Sequence, residues 1–145
     1  METALEEARR AFDDGEVPVG CVIVKDGEVI ARAHNTVERD GKATSHAEIN
    51  AINAAAEFLG EKFLYGCSMY VTAEPCAMCA GAIINSRISN LCYGTEEPKT
   101  GCCGTNYNLV EDSRFNHKVV VTGGILQDEC AVLLTEFFKK RRYEC

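Results

Sequence analysis

Two β-branched runs, residues 17–24 and 29–33, flank the tetrapeptide Lys25-Asp26-Gly27-Glu28. That pairing narrows the possible folds most, because Asp-Gly suits the two-residue turn that joins antiparallel strands. Residues 3–14 come before it, with apolar positions at Leu5, Ala8, Ala11 and Phe12 at helical spacing, and Gly15 ends the segment. Beyond the hairpin the pattern alternates. Residues 46–59 read as an alanine-rich buried helix stopped by Gly60. Strands follow at 67–72, 91–94 and 119–122, and helices at 76–85, with Pro75 in its first turn, and at 129–142. Residues 96–108 are dense in Gly, Cys, Thr and Asn without a period and read as a loop. A hairpin followed by alternating helices and strands predicts a three-layer α/β/α arrangement around a five-stranded mixed sheet. The expected organisation is one domain over residues 1–145.

The chain's 145 residues, 46% hydrophobic, suffice for a single core without disulfide staples. Residues 1–15 read as a charged amphipathic helix, not a signal peptide, and no apolar run approaches the roughly 20 residues of a membrane span. A cytoplasmic protein with no membrane partner is the expectation. In that compartment nine cysteines read as reduced thiols plus metal ligands. The net charge of −7 argues against nonspecific polyanion binding over the whole surface. Any nucleic acid should touch the C-terminal half, where Lys139, Lys140, Arg141 and Arg142 are contiguous. That run is equally readable as a solvated last helical turn.

The chemistry-bearing constellation is His46-Ala47-Glu48 at one helix start and Pro75-Cys76-Ala77-Met78-Cys79 at another. Cys76 and Cys79 are i and i+3, so their sulfurs share one helix face about a turn apart. The helix N-terminus, with its free N–H groups and positive dipole end, favours thiolates. One imidazole and two thiolates form a tetrahedral zinc site with its fourth position left to water, the pattern of a catalytic site. Glu48 should share the cavity without binding the ion, placed to move protons between water and substrate. H-x-E followed by P-C-x-x-C is the known signature of zinc nucleobase deaminases, and its meaning is taken from that class. A C-x-x-C alone would also suit a redox pair. His34 and His117 stand alone and read as structural. Cys21, Cys67, Cys92, Cys102, Cys103, Cys130 and Cys145 read as small hydrophobes.

The sequence also resembles a family, the bacterial tRNA-specific adenosine deaminases of the cytidine/deoxycytidylate deaminase superfamily. The matching segments are EVPVGCVIV (16–24), HN (34–35), HAEINAI (46–52), MYVTAEPCAMCAGAIINSRI (69–88), YGTEEPKTGCCGT (93–105), FNHKVVVTGGILQDEC (115–130) and LLTEFFKKRR (133–142). The resemblance implies conversion of adenosine to inosine at the wobble position of a tRNA anticodon loop, by a homodimer with one Zn2+ per subunit. It implies that His46, Cys76 and Cys79 bind the zinc, that Glu48 shuttles protons and that Asn35 hydrogen-bonds the base. It further implies that Ala47 contacts the substrate and that Glu97, Phe138 and Lys139 approach the flanking nucleotides. Phe137 and Phe138 are equally readable as core packing, although an adjacent pair cannot both face one side.

Two other readings stand beside it. One is deamination of a free base or nucleoside such as cytosine or guanine, since GKATSHAE (41–48) is somewhat like the free-cytosine deaminases. The other is a catalytically silent RNA-binding subunit, against which the presence of Glu48 speaks.

Overall fold

Asp26 and Gly27 turn the chain between β1 (Gly20–Lys25) and β2 (Glu28–His34) with φ of 51° and 79°. Two consecutive positive φ values give the primed turn whose twist matches antiparallel strands, and Lys25 faces Glu28 across it. The register slips between Ile23 and Val24, a bulge that leaves Ile30 without an opposite number. These features come from a computed structural model that describes residues 1–144; Cys145 lies outside the described residues.

β1 starts at Gly20, not at residue 17 as the run of valines suggests. Pro18 has no N–H for a ladder, and the Val19 N–H closes onto the Val17 carbonyl at 2.8 Å. The resulting turn releases Val17 and Val19 from the sheet to line a cavity.

β3 (Cys67–Ala73) pairs antiparallel with the other edge of β1, and β4 (Asn90–Thr95) and β5 (Val120–Thr122) follow in parallel. The order is β2-β1-β3-β4-β5, a five-stranded mixed sheet as expected. α1 (Glu2–Asp13) and α5 (Gln127–Glu144) pack together on one face, while α3 (Ala47–Leu59) and α4 (Ala77–Asn85) cover the other. Ile23, Met69, Val71 and Leu91 of the sheet meet Ala51 and Ala55 of α3 and Ile83 of α4, all fully buried. The small side chains on α3 bring its backbone close to the sheet, which sets its first turn over the strand ends.

One further element, α2 (Val37–Asp40), has no counterpart in the sequence pattern. Four residues are too short to show a period. The Glu16 carboxylate caps it, accepting from the backbone N–H groups of Glu38 and Arg39 at 2.9 Å each. The segment 96–108 is irregular as expected, with one isolated bridge between Cys103 and Asn108. Of the remaining described cysteines, all are buried except Cys92, which is half-buried, in keeping with packing roles.

Candidate metal centre and active site

His46 and Cys76 occupy the same structural position on α3 and α4: each is the extended cap residue before the first helical turn, with ψ of 153° and 179°. Pro75 therefore precedes the cap and does not sit in the first turn of the helix. The residue before it, Glu74, is the one that proline holds extended. Cys79 lies one turn into α4, so both sulfurs face the end of α3.

The His46 Nδ1 atom is 3.5 Å from Cys79 Sγ and 3.7 Å from Cys76 Sγ. The three ligand atoms lie within 4.8 Å of one another. Zinc–nitrogen and zinc–sulfur bonds at tetrahedral angles place such atoms about 3.5–3.8 Å apart. The donor set thus already has the spacing of a tetrahedral metal site, and it is the one such group among the described residues. Cys102 and Cys103 belong to no second group among them.

The electrostatics agree. The Cys76 thiol is held down to about 4, chiefly by a hydrogen bond from the Cys79 thiol, with the His46 imidazole and the Cys79 backbone N–H adding to it. Cys79, as donor to Cys76 and largely desolvated, is raised. A cation bound here would be held by both sulfurs, each as thiolate. Glu48, 4% exposed, stands in the first turn of α3. Burial pushes its carboxyl up to about 7, which puts it within reach of either protonation state near neutrality.

These groups open into a cavity of about 330 Å³, within the range of small-molecule sites. Asn35, Ala47, Glu48 and Glu97 line it together with His46 and Cys76. The Asn35 amide nitrogen donates to the Val17 carbonyl at 3.4 Å, and its buried Oδ1 has no hydrogen-bond partner among the described residues. Of the two adjacent phenylalanines only Phe137 packs in the core. Phe137 is 4% exposed and packs edge-on against Phe12 at 5.8 Å, whereas Phe138 is 48% exposed beside a shallow cleft with Lys99, Arg141 and Arg142. Lys139 is exposed and lines neither cavity. Arg141, from the same basic run, lines both. His34 sits between Glu7 and Asp14, at 3.5 and 3.6 Å, and His117 meets the Ile88 carbonyl at 2.7 Å, both away from the cavity.

Glu74 is the buried residue that sequence reasoning missed. Its Oε1 accepts from the Glu97 N–H at 3.2 Å and from the Thr105 hydroxyl, and its Oε2 accepts from the N–H groups of Cys103 and Thr105 at 3.0 Å each. Those bonds hold its carboxyl below the ordinary range despite its burial. One carboxylate thus anchors the loop that carries Glu97 to the cavity rim. A Cβ on Gly101 would come within 2.5 Å of the Glu74 carboxyl, so the loop can close there only on glycine. The signal available in the sequence was a carboxylate directly before Pro75-Cys76, with nothing local to name its partners.

A buried carboxylate beside one imidazole and two thiols, opening into a cavity of this size, suits metal-assisted hydrolysis of a small ring. Comparison with known proteins agrees: the family model described as MafB19-like deaminase matches residues 1–142. The tRNA-specific adenosine deaminase of Bacillus subtilis (strain 168) is 46% identical over 142 residues, covering 98% of this chain and 88% of that protein. That of Aquifex aeolicus (strain VF5) is 45% identical over 98% of this chain and 93% of its own length. A structure from studies of A-to-I editing by tRNA:A34 deaminases at the wobble position of transfer RNA superposes with a TM-score of 0.89 at 43% identity, over 92% of this chain and 97% of that one. The guanine deaminase from Nitrosomonas europaea gives 0.81 at 27% identity, over 94% and 81%. The chain belongs to the MafB19-like deaminases, in the branch of the tRNA-specific adenosine deaminases.

Proposed function

We propose that this protein deaminates adenosine to inosine at the wobble position of a tRNA anticodon. The observation that carries the substrate is likeness over the whole chain: 43% identity and a TM-score of 0.89 over 92% of it to a wobble-position deaminase, against 27% and 0.81 over 94%, and 39% and 0.63 over only 66%, to two guanine deaminases. The catalytic floor is compatible with either.

His46, Cys76 and Cys79 hold a Zn2+ ion, one per subunit. When bound, the ion supplies Lewis-acid activation of a water molecule. Glu48 would take a proton from the attacking water as the oxygen adds to C6 of the purine and pass it to N1, then take the second proton from the added hydroxyl and pass it to the departing amino group. Ammonia leaves and the ring keeps a carbonyl. Asn35, which lines the cavity, hydrogen-bonds the base, and Ala47 gives it a close wall. A base buried this deeply is one turned out of a single-stranded loop. Glu97 and Phe138 border the entrance, where the Lys99, Arg141 and Arg142 side chains meet the flanking backbone, with Lys139 further out.

The working form is a cytoplasmic homodimer of one deaminase domain, residues 1–145. Exposed Phe58 on α3 and Met78 on α4 support self-association on that face. No helix among the described residues is long and apolar enough to cross a membrane.

Cys79→Ala is expected to lower bound zinc from stoichiometric to a small fraction, read by elemental analysis of the purified protein. Full retention of zinc would overturn the ligand assignment. The substrate is tested by inosine formation in an anticodon stem-loop with adenosine at the wobble position, beside free adenosine, adenine, cytosine and guanine. Inosine in the stem-loop alone is expected. Its binding should weaken steeply between about 50 and 200 mM salt, as phosphate contacts require. Turnover of a free base only, with salt-insensitive binding, would replace tRNA with a small-molecule substrate.

A further inference from the structure

Asn50 does not line the cavity, but its side chain bonds to residues flanking two that do, Asn35 and His46. It lies in α3 one turn beyond His46, and its backbone N–H donates to the His46 carbonyl at 3.0 Å. Its side-chain nitrogen faces three oxygens: the His34 carbonyl at 3.0 Å, the Thr36 hydroxyl at 2.9 Å and, more weakly, the Ser45 carbonyl at 3.4 Å. Two of these are carbonyls, which only accept, so the amide orientation is fixed by chemistry.

The three acceptors are not scattered. His34 and Thr36 are the residues on either side of Asn35, and Ser45 is the residue before His46. The two segments are also joined directly, the Thr36 N–H donating to the Ser45 carbonyl at 3.0 Å. Thr36 passes the link on, its hydroxyl donating to the Asp40 carboxylate at 2.7 Å and so closing the turn that carries Val37 and Glu38 along the cavity. Asn35 itself is tied to the 17–19 turn, its backbone N–H donating to the Val19 carbonyl at 3.1 Å and its side chain, at a long 3.4 Å, to the Val17 carbonyl. Neither bond reaches the segment that carries His46, so its place relative to the metal ligands depends on its neighbours.

We infer that Asn50 is a positioning residue: its side-chain amide fixes the Asn35 segment against the turn that presents His46, and so sets the base relative to Glu48 and the metal donors. This rests on the reading of Asn35 as the base contact given above. The required tolerance is small, because a misplacement of about 1 Å at a reacting centre can cost on the order of 10²-fold in rate.

The test is a double-mutant cycle between Asn50→Leu and Asn35→Ala, with kcat and KM measured on the wobble-adenosine stem-loop and zinc content measured for all four proteins. Asn50→Leu alone should lower kcat about tenfold, with KM moving less than about threefold and zinc unchanged. In the Asn35→Ala background the same change should cost less than about twofold, because the residue it acts through is gone. Should Asn50→Leu fold poorly, Thr36→Val removes the central hydroxyl with little change of shape and carries the same cycle. Factors that multiply in full, or loss of zinc in Asn50→Leu, would make Asn50 a general structural residue and overturn the inference. An Asn35→Ala protein with wild-type kinetics would instead remove the base contact itself, and the inference with it. In that case the stem-loop activity still stands.

Discussion

Glu48→Ala should retain its zinc and its fold while losing about 10³-fold in kcat, within the range of general acid–base contributions. The expectation of a folded variant follows from the site. Glu48 is buried with its carboxyl raised to about 7 by desolvation. Removing a polar group that is costly to bury does not strip the core of an apolar support. The metal donors are also separate, since His46, Cys76 and Cys79 complete their set without the carboxylate. Loss of turnover with intact metal and an unchanged melting temperature would isolate proton transfer as the missing step. Glu48→Gln, which keeps the shape and removes the titrating oxygen, should fall equally far. A Glu48→Ala protein with more than about a tenth of wild-type kcat would leave the carboxylate without its assigned role.

The second large effect is on stability. Gly20→Ala should destabilise the protein by about 3 kcal/mol, at the upper end of ordinary overpacking. For a chain of this size that lowers the melting temperature by about 10 °C. Gly20 opens β1 where α1 crosses it, and an added Cβ would run into the Ala4 carbonyl and, at 2.5 Å, the Ala8 nitrogen. Both obstacles are backbone, so no side chain can swing away. Ala4 and Ala8 are fully buried, leaving α1 no smaller residue to offer short of glycine. The Gly20 N–H also donates to the Thr72 hydroxyl at 3.1 Å, which a shift of the strand would break. Thermal unfolding followed by circular dichroism reads the effect. A change under about 2 °C would mean that α1 yields without cost and is not the rigid buttress its packing implies.

The two sites illustrate different kinds of legibility. The Asp26-Gly27 turn, the alanine-rich α3 and the i, i+3 thiols of α4 follow rules that act within a few residues, so each could be read from the chain directly. His46 is distant in sequence from Cys76. Its helix-start position beside Glu48 nevertheless marked it as a partner, and the observed Nδ1–sulfur spacings agree. Asn35 and Glu97 came from resemblance, and both line the cavity.

Glu16, Glu74 and Asn50 were not legible, for a common reason. Their hydrogen-bond partners lie far along the chain, from Glu16 to α2, from Glu74 to the 97–105 loop and from Asn50 to the end of β2. The choice between a carboxylate solvated at the surface and one buried as a loop anchor is made by packing that no local pattern encodes. The last helix shows the same limit. Its adjacent phenylalanines had to diverge, yet only the position of α1, with Phe12 beneath Phe137, decided that Phe138 would be the one left at the cleft. By itself the sequence determined the order of the five strands and the four longer helices and the turn chemistry, and it named the candidate donors, because backbone propensity and short motifs are local. Tertiary structure alone decided which polar groups hold the cavity walls together, because those bonds exist only once the sheet has brought distant segments within 3 Å.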